Sequence, residues 1–153
     1  LIVGIIYERR HTREITDYGG LWNVMPIYGA ITLIVVLSSA GLPGLNGFVG
    51  EFVIMQGAFI APELGWGYLA FAVIGVILAA VYLLRMFRGA FMGPVARSEN
   101  EGLPDLNQRE LVTLVLLLIP IIGIGLYPGI LFGPMQESLG HVVQEFATSI
   151  AGQ

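Results

Sequence analysis

The sequence predicts an all-α integral membrane protein with one discontinuous helix, and three observations carry that prediction. The chain of 153 residues is 56% hydrophobic and only 12% charged, with a mean hydropathy of +0.80. A soluble domain is about 45–50% apolar and about 25% charged. Such an excess cannot be hidden inside one domain of this size, so the surplus must face lipid or other membrane subunits. The apolar residues also gather into long runs separated by short polar segments. Finally, the first complete run is too long for one straight span and is interrupted by glycine and proline.

Composition excludes several classes. With no cysteine there is no disulfide scaffold, Cys-ligated metal or Fe–S site. There is no lysine, and the net charge is −4. Nothing resembles the basic patch of a nucleic-acid-binding protein.

Leu1 to Tyr7 form an apolar run that stops at Glu8-Arg9-Arg10-His11-Thr12-Arg13-Glu14. A signal peptide carries its positive charge first, so residues 1–7 read as the end of a membrane helix and the chain as a piece of a larger protein. Asp17-Tyr18-Gly19-Gly20 predicts a turn.

The run 26–60 would make a helix roughly 52 Å long at about 1.5 Å per residue, against a hydrocarbon core about 30 Å thick. Gly41-Leu42-Pro43-Gly44-Leu45-Asn46-Gly47 interrupts it in a way a straight helix does not tolerate. Residues 26–60 are therefore expected to be a discontinuous helix broken at 41–47, with Gly41, Pro43, Gly44, Asn46 and Gly47 making the break. The run 64–88 is long enough to cross, with Pro62 and Glu63 where a helix start favours them. A polar loop over 93–110 leads to a third span at 111–127, which contains Pro120. In residues 134–150, Met135, Leu139, Val142, Val143, Phe146 and Ile150 recur at helical spacing opposite a polar face, which predicts an amphipathic interfacial helix.

Every arginine lies in one of two loops, with Arg9, Arg10 and Arg13 in the first and Arg85, Arg88, Arg97 and Arg109 in the second. The positive-inside rule puts both on the cytoplasmic side, which requires an even number of crossings between them. One discontinuous crossing over 26–60 and one over 64–84 satisfy it. A helix broken at membrane depth is tolerated where it lines a wet cavity or is buried in protein, and transporters use such breaks at ion sites.

Glu51 is the one ionisable residue well inside an apolar run, where an acid costs about 2.5–3.5 kcal/mol on insertion scales. Three readings stay open: it reaches water at the headgroups, it caps or pairs with a neighbouring helix, or it transfers protons. Ser38, Ser39, Gln56 and Arg85 are candidates for a polar path beside it. The first three more often bond to backbone or to a neighbouring helix; Arg85 and Arg88 suit headgroup contact, and Arg85 is also deep enough to pair with an acid elsewhere in the parent protein. Gly41, Gly44, Gly47 and Gly50 recur every third residue, without the Gly-Lys-Ser/Thr or strand of a phosphate loop. Close helix approach suits them better. Glu137, His141 and Glu145 share a helix stripe that reads as a solvated polar face rather than a metal site.

These residues also carry a resemblance. Tyr7-Glu8-Arg9-Arg10-His11-Thr12-Arg13, Gly19-Gly20-Leu21-Trp22, Gly41-Leu42-Pro43-Gly44, Phe48-Val49-Gly50-Glu51-Phe52, Tyr82-Leu83-Leu84-Arg85-Met86, Phe91-Met92-Gly93 and Gly125-Leu126-Tyr127-Pro128 follow in that order. The set resembles the C-terminal third of the M-type antiporter-like subunits of NADH–quinone oxidoreductase (respiratory complex I), called subunit 4 in mitochondria. The resemblance implies the C-terminal part of a 14-helix antiporter-like bundle in a bacterial inner membrane or the mitochondrial inner membrane. It implies proton translocation coupled to NADH oxidation by quinone, with Glu51 at the position of a proton-path glutamate. No cofactor is expected in this chain; NADH, FMN, Fe–S clusters and quinone would belong to partner subunits. Expected partners are the L- and N-type sister subunits, a lateral helix from one of them, and the lipid bilayer. A subunit of an Mrp-type Na⁺/H⁺ antiporter or of a membrane-bound hydrogenase shares the break, and a structural membrane subunit without a proton path is the remaining alternative.

Overall fold

The computed structural model describes residues 1–62, 64–136 and 139–140. The described residues are helical, with no strand among them. Six α-helices follow in order: α1 (Ile2–Arg10), α2 (Leu21–Val24), α3 (Pro26–Ser39), α4 (Asn46–Ile60), α5 (Gly65–Phe91) and α6 (Gln108–Leu126). Residues 129–136 form a further helical stretch. Most of the expected interfacial helix, and Glu63, lie outside the described residues.

Local chemistry sets the ends of these helices. Pro26 occupies the first turn of α3, where its missing N–H has no intrahelical partner to lose. Asn107 and Glu110 form a reciprocal capping box at the start of α6, each side chain accepting from the other's backbone N–H. Helix α6 therefore starts at Gln108, three residues before its apolar run. Helix α5 also outlasts its apolar run, reaching Phe91 because Phe87 and Phe91 stack at 4.6 Å and are both buried. Helix α1 likewise runs past Tyr7 to Arg10, and the left-handed His11 (φ 54°) ends it.

The buried core sits at one end of the molecule. Ile5 and Ile6 of α1, Leu21 and Met25, Tyr28 and Ile31 of α3, Phe87 and Phe91 of α5, and Leu114 and Leu118 of α6 form one cluster. Helix α4 packs on both α5 and α6, and α3 packs on α5. The central stretch of α5 is otherwise bare: its most apolar 18-residue window has no buried residue. Helices α5 and α6 measure about 40 and 28 Å, and α3 and α4 about 21 and 22 Å. The first two match a bilayer core of about 30 Å, and each of the second two reaches only part of the way. Exposed Trp66, Phe71, Ile74, Leu78, Leu116 and Ile119 give α5 and α6 an apolar exterior.

The core end is closed by charge. Arg10 pairs with Glu99 at 3.0 Å and Arg97 with Asp17 at 2.6 Å. The buried Asn100 side chain donates to the Asp17 carbonyl at 3.1 Å. Arg9 uses all five of its N–H donors. They go to the carbonyls of Ile5, Pro104 and Asp105 and to both carboxylate oxygens of Glu110.

Candidate functional site

The gap between α3 and α4 gathers most of the residues expected there. Helix α3 ends in a Schellman motif. Gly41, at φ 75°, donates to the Ser38 carbonyl at 3.2 Å, and Leu42 donates to the Leu37 carbonyl at 3.0 Å. Those bonds satisfy two of the four carbonyls that a helix end leaves open. The chain then turns through Pro43, which has no N–H to satisfy, and through Gly44 at φ 95°. Leu45 closes the turn by donating to the Leu42 carbonyl at 3.2 Å.

Asn46 and Gly47 were expected within the break, but they form the first turn of α4. The Ser38 hydroxyl donates to Oδ1 of Asn46 at 2.6 Å, tying the last turn of α3 to the first turn of α4. Gly47 lies against the Ser38 carbonyl so closely that a Cβ there would collide with it. With these two contacts the second helix starts directly beside the end of the first. No side chain caps the N-terminus of α4, so its first N–H groups and the positive end of its dipole face the gap.

Glu51 sits in the second turn of α4. Side chains of an α-helix lean toward its N-terminus, so the carboxyl points back at the break. Its Oε2 lies against the Cα of Gly41, where any Cβ would meet it, and Val76 of α5 lies 3.7 Å from that Cβ position. Glu51 is half-buried. Among the described residues the ion pairs are all remote from it. On the far side of the turn, Gly125 of α6 rests directly on the Gly44 carbonyl and the Cα of Leu45.

The other candidates are not brought to this point. Ser39 and Gln56 are exposed, and Gln56 stands about 140° around α4 from Glu51. Arg85 lies about 13 Å along α5 from Val76, in an open cleft of about 1230 Å³ shared with Ile15, Tyr82, Arg88 and Met92. Among the described residues, no three His, Cys, Asp or Glu side chains converge as metal ligands would.

Sequence reasoning missed two residues that fasten helices across long stretches of chain. Asp105 accepts from the backbone N–H of Ile27 at 2.9 Å and of Tyr28 at 3.1 Å, so it caps α3 across 78 and 77 positions of chain. Glu110 anchors Arg9. The signal that was available is Asn107-x-x-Glu110 as a helix start; nothing local points from Asp105 to α3.

Residues 1–81 match the family model described as "NADH:quinone oxidoreductase/Mrp antiporter, TM". NADH-quinone oxidoreductase subunit M of Rhodobacter capsulatus is 37% identical over 146 residues, which is 95% of this chain and 28% of that protein. The subunit M of Escherichia coli (strain K12) is 33% identical over 153 residues, covering 98% of this chain and 29% of the relative. The chain thus spans under a third of the length of these relatives. Among solved structures, respiratory complex I from Thermus thermophilus with bound NADH contains a chain that superposes with a TM-score of 0.76. The two are 35% identical, over 85% of this chain and 26% of the other.

Proposed function

The chain belongs to the NADH:quinone oxidoreductase/Mrp antiporter transmembrane family, and from that membership we propose that it is part of the proton-translocating M-type subunit of an NADH–quinone oxidoreductase. It is a membrane protein of antiporter-like fold. The observation that carries the functional reading is the Glu51 carboxyl lying over Gly41 at the break. An acid beside unpaired helix-end groups has water-binding donors and acceptors on either side, so it can accept a proton from one half of the path and pass it to the other. A helix broken at membrane depth makes room for that water.

In this reading the redox chemistry, with its flavin, Fe–S clusters and quinone, resides in other subunits. The complete subunit is a 14-helix bundle beside L- and N-type sisters and a lateral helix, in a bacterial or mitochondrial inner membrane. Residues 26–60 make one discontinuous crossing, and α5 and α6 one each. The family description embraces Mrp-type antiporters as well. What favours the oxidoreductase is that relatives matching 95% and 98% of the chain are M subunits.

The test is Glu51→Gln in the assembled, membrane-embedded enzyme. Glutamine keeps the shape and removes the titrating group. The expected result is normal assembly with fewer protons moved per NADH oxidised. Unchanged pumping would leave Glu51 a structural residue and overturn the reading.

A further inference from the structure

Two glycines close to the end of α6 behave differently. A Cβ added at Gly123 meets nothing within 4 Å, whereas one at Gly125 collides with the Gly44 carbonyl and the Leu45 Cα. Helix propensity alone favours alanine over glycine at both positions, by about 1 kcal/mol. Only Gly125 has a contact that requires the missing side chain, and the contact is backbone on backbone at the break itself. Gly44 carries the left-handed turn of the break, and Leu45 is the residue from which α4 starts.

We propose that Gly125 is a positioning residue for Glu51. It lets α6 bear on the Gly44–Leu45 segment and thereby fixes where α4 begins relative to the end of α3. The inference rests on the reading of Glu51 as a proton-path group. The chain of contact is short. Helix α6 presses on Gly44–Leu45, the first turn of α4 presses on the Ser38 carbonyl through Gly47, and Glu51 faces Gly41 one turn further on. Any side chain at position 125 must push Gly44–Leu45 away from α6, because a close-packed contact cannot absorb a methyl group in place. Helix α4 moves as a rod, so Glu51 shifts against Gly41. A misplacement of about 1 Å can cost up to about a hundredfold in a step that depends on alignment.

The experiment compares Gly125→Ala, Gly123→Ala and Glu51→Gln in the assembled enzyme in its membrane. Protons moved per NADH oxidised and the pH profile of pumping are both measured. Gly123→Ala is expected to match the parent protein in both. Gly125→Ala is expected to lower the ratio several-fold and to displace the pH profile, with Glu51 still present. Gly125→Ala indistinguishable from Gly123→Ala overturns the proposal. So does a Gly125→Ala variant that lowers only the amount of enzyme assembled while each assembled complex pumps with the parental ratio and profile. If Gly125→Ala does not assemble, Leu126→Ala decides, since Leu126 Cδ2 lies 3.9 Å from where a Gly44 Cβ would stand and its loss withdraws a neighbouring α6 side chain from the same turn without adding bulk. A lowered ratio then supports positioning, and a parental ratio refutes it. Glu51→Gln without effect on pumping sinks the proton-path reading itself, whereas an impaired Glu51→Gln beside a normal Gly125→Ala refutes the positioning role alone.

Discussion

At the scale of single residues, Gly41 and Glu51 meet at the gap and each restricts the other. Gly41 holds φ 75°, a conformation that costs an L-residue about 1–2 kcal/mol, and its bare Cα faces the Glu51 carboxyl. Gly41→Ala therefore carries two penalties, one from the backbone and one from the collision. Only the second disappears when Glu51 is shortened. The double variant Gly41→Ala/Glu51→Ala is expected to lose less thermal stability than the two single losses added together. Strict additivity in the inactivation temperature of the assembled enzyme would show that the two residues do not touch. Ser38→Ala is the milder companion. It removes the 2.6 Å hydrogen bond to Asn46, and such bonds between membrane helices contribute on the order of 0.6 kcal/mol. It should loosen the break without abolishing assembly, and a loss of assembly would mean that the bond matters far more than its class suggests.

At the scale of elements, α3 is short and is held from outside at both ends. Glycine geometry and Ser38 fix its C-terminus, and Asp105 fixes its N-terminus through two backbone hydrogen bonds. Asp105→Ala is expected to cost about 1 kcal/mol, the usual size of a lost N-cap, and to speed hydrogen exchange at the amides of Ile27 and Tyr28, along with Leu106, whose N–H also donates to Asp105. Exchange at those amides unchanged from the parent would refute the cap. Arg9→Ala should be harsher, by about 1.5–3 kcal/mol, because it removes two charge-assisted hydrogen bonds from the part-buried Glu110. Arg9→Lys should recover only part of that loss, since an ammonium cannot replace a five-donor guanidinium. The break itself was legible in the sequence, because Gly-Leu-Pro-Gly has no place in a straight apolar helix. The extents of α5 and α6 were less so, because hydropathy measures where apolar residues stop and not where a capping box or a Phe87–Phe91 stack carries the helix. Asp105 and Arg9 were invisible as clamps, since their partners lie dozens of residues away and no spacing rule links them. Ser39 and Gln56 were candidates on polarity alone, and polarity says nothing of which side of a helix faces the gap.

At the scale of the whole molecule, the two arginine-bearing loops are one structure. Arg10 with Glu99 and Arg97 with Asp17 join them, Asn100 is buried against the Asp17 carbonyl, and Gly20 and Asn23 donate to the carbonyls of Met92 and Gly93. Segments in contact lie on one side of a membrane. The chain between them must therefore cross an even number of times, whatever the distribution of charge says. Beyond the four-residue α2, which is too short to cross, three helices lie between the loops: α3, α4 and α5. Three separate crossings would put the loops on opposite sides and tear these ion pairs apart. The proposed arrangement, with α3 and α4 as one interrupted span of about 43 Å of helix followed by α5, meets the requirement. Contact between the loops thus asks for the same even number of crossings that the positive-inside rule asks for by charge. These 153 residues contain no cysteine, so a single introduced cysteine is the one labelled site within them. Glu14→Cys and Glu101→Cys, both exposed, should react with a membrane-impermeant maleimide from the cytoplasmic side. Pro62→Cys and Gly133→Cys, exposed at the opposite ends of the spans, should react only from the other side. Labelling of positions 14 and 101 from opposite faces would break the parity argument, and with it the placement of Glu51 beside a gap within the membrane.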